Sequence, residues 1–203
     1  MTQEAAMKIL ITGFDPFGKE TVNPSSEALA LLRGPEGSEL IKVPCIPTVY
    51  GAGQLVIAEI EKFQPQTVVC LGQAGGRNGV TPERVAINIR DCSMADNQGW
   101  ICLDEPVVPG GKNAYFSTLP VKDMAAAIQH AGLPAQVSNT AGTFVCNSVL
   151  YEVLQYCEAQ APHIRAGFIH VPFLPCQTES RPNFPSMSLT QMAEALEAAL
   201  SVL

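Results

Sequence analysis

The chain has no apolar run approaching the ~20 residues that a membrane-spanning helix needs. It has no basic stripe either. Lys and Arg total 12 against 19 Asp and Glu, a net charge of −7, which argues against a nucleic-acid partner because phosphate binding needs clustered cations. Charged residues make up only 15% of the chain and apolar residues 47%, which excludes a disordered polymer. A length of 203 residues suffices for a sizeable core. Met1-Thr2-Gln3-Glu4-Ala5-Ala6 lacks both the basic and the long apolar region of a secretory signal. The expectation is a cytoplasmic protein, one domain over 1–203, with 1–6 as an unstructured leader.

Paired cysteine spacing is also missing. Cys45, Cys70, Cys92, Cys102, Cys146, Cys157 and Cys176 are odd in number and scattered, with no Cys-x-x-Cys. Neither a disulfide framework nor a zinc site has that spacing. Several, such as Cys70 in Val69-Cys70-Leu71, read as packing residues.

What is present alternates between two periods. Lys8–Thr12, Leu40–Val43, Thr67–Gly72, Val85–Ile89, Gln136–Ser138 and Ala166–Val171 read as strands. Pro24–Leu32, Val49–Phe63, Val121–Ala131, a segment from Val145, and a final segment opened by the capping box Ser188-Leu189-Thr190-Gln191 read as helices. Such alternation predicts an α/β fold: a three-layer α/β/α sandwich around a mostly parallel, mixed central sheet. Asp91–Lys112 and Pro172–Pro185 fit no regular element, and loops that long are commonly functional.

The most informative stretch runs from Val137 to Leu150. It reads as a strand end, a turn of small residues, then a helix with Cys146 in its first turn. Helix N-termini expose unpaired N–H groups and a positive dipole end, which favour thiolate. The helix's apolar stripe is Val145, Val149, Leu150, Val153, Leu154 and Cys157, and Cys146 lies off it. A cysteine is otherwise a small buried hydrophobe, so partners decide its role.

Three histidines are available. His130 falls in the last turn of a helix and His163 in a connecting turn. His170 ends an apolar strand, where it is either a satisfied core residue or a base facing a thiol. Asp15, Glu83 and Asp91 are the acids near apolar segments that can orient an imidazole. From position alone Glu83 reads as a surface carboxylate paired with a nearby arginine. Gly72–Gly79 lacks the Lys-Ser/Thr pair of a Walker loop and reads as a tight turn bringing backbone close to a ligand.

Four segments together resemble the pyroglutamyl peptidase I family of cysteine peptidases. They are Gly13-Phe14-Asp15-Pro16-Phe17-Gly18 with Asn23-Pro24-Ser25; Gly72-Gln73-Ala74-Gly75-Gly76-Arg77 with Thr81–Asn88; Ser138–Asn147; and Phe168-Ile169-His170-Val171-Pro172. The resemblance covers nearly the whole chain from Met7. It implies a cytoplasmic enzyme, often a homotetramer, that removes N-terminal pyroglutamate from peptides without a metal or organic cofactor. The implied triad is Glu83, Cys146 and His170. The implied ring pocket is Phe14, Phe17, Gln73, Phe144 and Val145, supported by Asn23 and Thr48. Family members carry an arginine, thought to help the oxyanion site, where this chain has Ser93. Arg90, Arg77 or backbone N–H groups near Cys146 are the candidates to replace it.

That substrate suits the residues. Pyroglutamate is a flat, neutral lactam, so two aromatic faces, Phe17 and Phe144, are expected to sandwich it and backbone groups of Gln73 to pair with it. Two other readings share the architecture: a nucleoside phosphorylase-like transferase, which would need phosphate, and an inactive module that binds pyroglutamyl peptides without turnover.

Overall fold

A computed structural model describes residues 6–203, so residues 1–5 of the expected leader lie outside the described residues. The first half contains β1 (Met7–Phe14), α1 (Pro24–Leu31), β2 (Ser38–Ile46), α2 (Gly53–Phe63) and β3 (Thr67–Gln73). Five short strands follow: β4 (Thr81–Pro82), β5 (Val85–Ile87), β6 (Arg90–Cys92), β7 (Cys102–Glu105) and β8 (Ala114–Phe116). The chain ends with α3 (Val121–His130), α4 (Val145–Gln160), β9 (Arg165–Val171), α5 (Pro175–Thr178) and α6 (Leu189–Leu200).

The central sheet has the order β2-β1-β3-β9-β4. The first four strands are parallel, and β4 runs antiparallel to β9. β1 and β3 are apolar on both faces because helices cover both. Ile9, Ile11, Val69 and Leu71 face α1, α3 and α6, whereas Leu10, Val68 and Cys70 face α2 and α4. This is the expected mixed α/β/α sandwich. The chain leaves β1 for β2 on one side and for β3 on the other, which opens a crevice at the strand C-terminal ends.

Several local expectations change in three dimensions. Val85–Ile87 does not join the main sheet but pairs with β8. The antiparallel edge is Thr81–Pro82 instead, where Pro82 is tolerated because an edge strand needs no outward N–H. Gln136–Ser138 forms no ladder; Glu83 bridges to Ser138 and, just before the segment, Val80 to Ala135. The irregular Asp91–Lys112 stretch contains most of the β6–β7 hairpin, and Pro172–Pro185 contains α5. α1 is capped by Asn23, whose side chain accepts from the Ser25 N–H.

α4 departs most from its pattern. The expected stripe is buried, but so are Asn147, Ser148, Tyr151 and Glu152. β5, β6 and β8 cover the side that a two-sided helix would turn to water. Burying Glu152 requires a partner, and Arg90 Nη2 donates to its Oε1 at 2.8 Å. Burial still raises the Glu152 carboxyl above its ordinary range, with Arg90 opposing. Desolvation therefore exceeds what the pair returns. Glu152→Ala is expected to destabilise the fold by about 3–5 kcal/mol, because it strands Arg90. Glu152→Leu combined with Arg90→Met should recover most of that loss. Urea unfolding of both variants checks it; equal destabilisation in the two would mean that packing, not the stranded charge, sets the cost.

Candidate active site

The sheet's C-terminal edge holds a cavity of about 540 Å³, whose lining includes Phe14, Phe17, Gln73, Phe144, Cys146 and His170. Phe14 ends β1, Gln73 ends β3 and His170 lies one residue before the end of β9. Cys146 enters from the first turn of α4, whose cap residue Phe144 offers no side-chain bond to the free N–H groups.

Gly72 makes the convergence possible. It pairs in register with His170 across the β3–β9 ladder. A Cβ on Gly72 would lie 2.7 Å from the Phe168 ring and 3.0 Å from Cys146 Sγ. The missing side chain thus leaves the space that Cys146 Sγ and the Phe168 ring occupy, next to the register partner His170.

Glu83 reaches the site from the segment after β4. Its N–H donates to Phe168 O at 2.8 Å, and the side chain is wholly buried. Glu83 Oε1 lies 2.7 Å from His170 Nδ1 and also accepts from Arg77. A carboxylate only accepts, so His170 carries its proton on Nδ1 and turns a bare Nε2 away from Glu83. Burial opposes charge on Glu83, but the His170 hydrogen bond, with Arg77 adding, holds its carboxyl below the ordinary range. The surface-carboxylate reading of Glu83 does not survive. His130 and His163 are exposed.

Electrostatics of the thiol run against the helix-start expectation. Burial pushes Cys146 up to about 12, the Glu83 charge adds to this, and Arg77 opposes it. Burial depresses His170, against the Glu83 hydrogen bond. Both effects favour a neutral thiol beside a neutral imidazole. The helix end is too small a term to ionise a thiol in this setting.

The remaining expected residues divide. Phe17 and Phe144 lie 6.1 Å apart at 42°, forming a wedge. A parallel sandwich would need about 7 Å, twice the carbon contact distance. A flat ring therefore stacks on one face and meets the other obliquely. Phe144 is braced edge-on by Tyr50 at 5.7 Å, and Arg90 lies over Tyr50 at 5.3 Å. Val145 does not line the cavity; it is fully buried in the core beneath α4. Asn23 and Thr48 line the cavity with their polar atoms occupied. Asn23 caps α1 and donates to Asp15 O, and Thr48 donates to Asp15 Oδ1 at 2.7 Å. They hold the Phe14–Phe17 loop.

Of the positively charged candidates, Arg90 is taken by Glu152 and Ser93 is exposed outside the cavity. Arg77 lines the cavity, yet it is committed to Glu83, Thr81 and the Thr140 carbonyl. The free N–H groups opening α4 remain for an oxyanion. Sequence reasoning missed Glu20, Phe173, Gln177 and Arg181 around the mouth. The irregular stretch Pro172–Pro185 was the only signal for Phe173, Gln177 and Arg181, and Glu20 had none.

The family model described as pyroglutamyl peptidase matches residues 7–203. A pyrrolidone-carboxylate peptidase of Lactobacillus johnsonii is 52% identical over 97% of this chain and 92% of its own length. One from Streptococcus pyogenes serotype M4 is 51% identical, covering 96% and 91%. The solved pyroglutamyl peptidase I of Bacillus amyloliquefaciens superposes with a TM-score of 0.92 at 43% identity, covering 96% of this chain and 93% of that one. A mutant pyrrolidone carboxyl peptidase of Pyrococcus furiosus gives 0.90 at 36%, covering 97% of each.

A neutral resting pair has a readable consequence. Alkylation of Cys146 by iodoacetamide should keep accelerating above pH 9 and show no plateau near neutrality. The acid limb of kcat/KM should lie below the ordinary histidine value of about 6.5, because His170 stays neutral to lower pH. An alkylation plateau reached by pH 7 would mean a resting ion pair instead.

Proposed function

This chain belongs to the pyroglutamyl peptidase family, cysteine peptidases that remove N-terminal pyroglutamate, and we propose that Cys146, His170 and Glu83 carry that reaction in it. The observation supporting this most directly is the buried Glu83–His170 contact at 2.7 Å, with Cys146 and His170 flanking Gly72. As in the family, a nucleoside phosphorylase-like transferase and an inactive binding module are not supported readings.

The lactam ring enters the wedge of Phe17 and Phe144, with the scissile carbonyl over Cys146 Sγ. His170 Nε2 removes the thiol proton as sulfur attacks the carbonyl carbon. A thiol near 12 is a poor resting nucleophile, so proton transfer and attack are coupled. The imidazolium formed is stabilised by Glu83, the group that also holds the ring's tautomer. N–H groups at the start of α4 receive the oxyanion. The imidazolium protonates the departing amine, leaving a thioester. Water, deprotonated by His170, then attacks the thioester carbonyl, releasing pyroglutamate and restoring the thiol.

Hydrolysis of a pyroglutamyl reporter amide tests the assignment. Cys146→Ala is expected to abolish turnover, whereas Cys70→Ala should act on stability. Glu83→Gln should lower kcat by a factor on the order of 10³–10⁴, since an amide stabilises imidazolium poorly. Full activity in Cys146→Ala overturns the nucleophile; an unchanged rate in Glu83→Gln overturns the orienting role.

The chain works as one peptidase domain that assembles into a cytoplasmic homo-oligomer, a tetramer in this reading. The β6–β7 hairpin supports the assembly: Trp100 is 64% and Leu103 63% exposed, an apolar surface beside the cavity. Leu103→Lys should lower the mass read by sedimentation equilibrium; a monomer before substitution would end the tetramer proposal.

A further inference from the structure

A line of polar groups behind the cavity determines which end of one amide faces the substrate. Gln177 is 6% exposed and Gln73 7%. Gln177 Oε1 accepts from the Leu174 N–H at 2.9 Å, and that group can only donate. Gln177 Nε2 donates to Glu20 Oε2 at 2.9 Å, and a carboxylate can only accept. The orientation of the Gln177 amide is thereby settled at both ends by unambiguous partners. Its Nε2 also donates to Gln73 Oε1 at 2.8 Å. Gln73 must then keep its oxygen towards Gln177, because the flipped amide would set two donors face to face. Gln73 Nε2 is left without a partner among the described residues, on a side chain that lines the cavity.

We propose that Arg181, Glu20 and Gln177 are positioning residues that lock Gln73 with its NH₂ towards the substrate, as the donor for the ring carbonyl. Arg181 anchors the series. Its Nη2 donates to Glu20 Oε1 at 2.7 Å, its Nε to Gln177 O at 3.0 Å, and its guanidinium lies 4.6 Å from the Phe173 ring centre. An NH₂ open to the cavity is satisfied by a ligand carbonyl at that point, and a ligand without one shuts it off from water unpaired. Recognition of an oxo-ring over a reduced ring is therefore set by the groups that hold Gln73: Gln177 in α5, with Glu20 and Arg181 at the cavity edge.

The proposal rests on the pyroglutamyl reading, and two ring probes separate the two. One is 2-pyrrolidone; the other is 2-pyrrolidinethione, of the same shape but with a weaker acceptor. Each is measured as a competitive inhibitor of reporter hydrolysis. Gln177→Glu removes the donor to Gln73 Oε1, so the Gln73 amide turns over and offers its oxygen to the cavity. It is expected to weaken 2-pyrrolidone roughly 5- to 150-fold, the range for leaving a buried polar group unpaired, with much less effect on the thione. KM for the pyroglutamyl amide should rise more than kcat falls. Glu20→Ala removes one acceptor from Gln177 Nε2 and the anchor of Arg181 while the Leu174 N–H still holds Gln177 Oε1, and it should narrow the same preference less than Gln177→Glu does. Hydrolysis of the pyroglutamyl amide by the unaltered chain tests the underlying reading. If both variants weaken the two rings equally, or leave their ratio unchanged, the relay is only structural and the proposal is overturned.

Discussion

The site depends on one buried carboxylate. Glu83 has no exposure to solvent, and against that burial His170, Ser138 and Arg77 hold its carboxyl below the ordinary range. An unpaired carboxylate in that position would cost several kcal/mol. The pairing requirement therefore ties three separate parts of the chain together: the turn after β3 that carries Arg77, the segment after β4 that carries Glu83, and β9 with His170. Arg77 extends the connection to the Thr140 carbonyl, in the loop leading to Cys146. The proton position on the imidazole follows from the same contact.

Low polarity around the thiol has a chemical use. Burial raises Cys146 and lowers His170, which favours an uncharged pair, and in the proposed mechanism a thiolate then forms only as sulfur attacks the substrate carbonyl. In that proposal charge develops in the transition state beside Glu83 and the start of α4. Preorganisation is carried by rigid elements: Gly72 permits the approach, β3 and β9 set its register, and Asn23 and Thr48 hold the aromatic loop through Asp15.

Around this centre the chain has its own second layer. Arg90 lies beneath Tyr50, which braces Phe144, and Arg90 is in turn held by Glu152 from α4. On the opposite side Arg181, Glu20 and Gln177 hold Gln73. Each wall of the cavity is thus backed by an arginine–glutamate pair. The Ser93 position, by contrast, stays outside the cavity.

Sequence alone determined the alternation of strands and helices, because apolar runs bounded by Gly and Pro report burial on two faces of a sheet. It also determined that Cys146 opens a helix and that His170 ends a strand, since both are properties of a few neighbouring residues. Motif resemblance, not pattern, raised Glu83 above a surface carboxylate. Tertiary structure decided the rest. Burial of Glu83, the neutral thiol, the loss of Val145 to the core and the wedge of Phe17 and Phe144 all depend on groups far apart in the chain. Val85–Ile87 reads as a sheet strand locally, yet β4 takes the edge, because pairing is a competition among all strands. Gln177 lies in a stretch without periodicity, so its role emerged only when folding brought it 2.8 Å from Gln73. Local patterns record what each residue avoids or seeks in water; partners 100 residues away are chosen only by the packed fold.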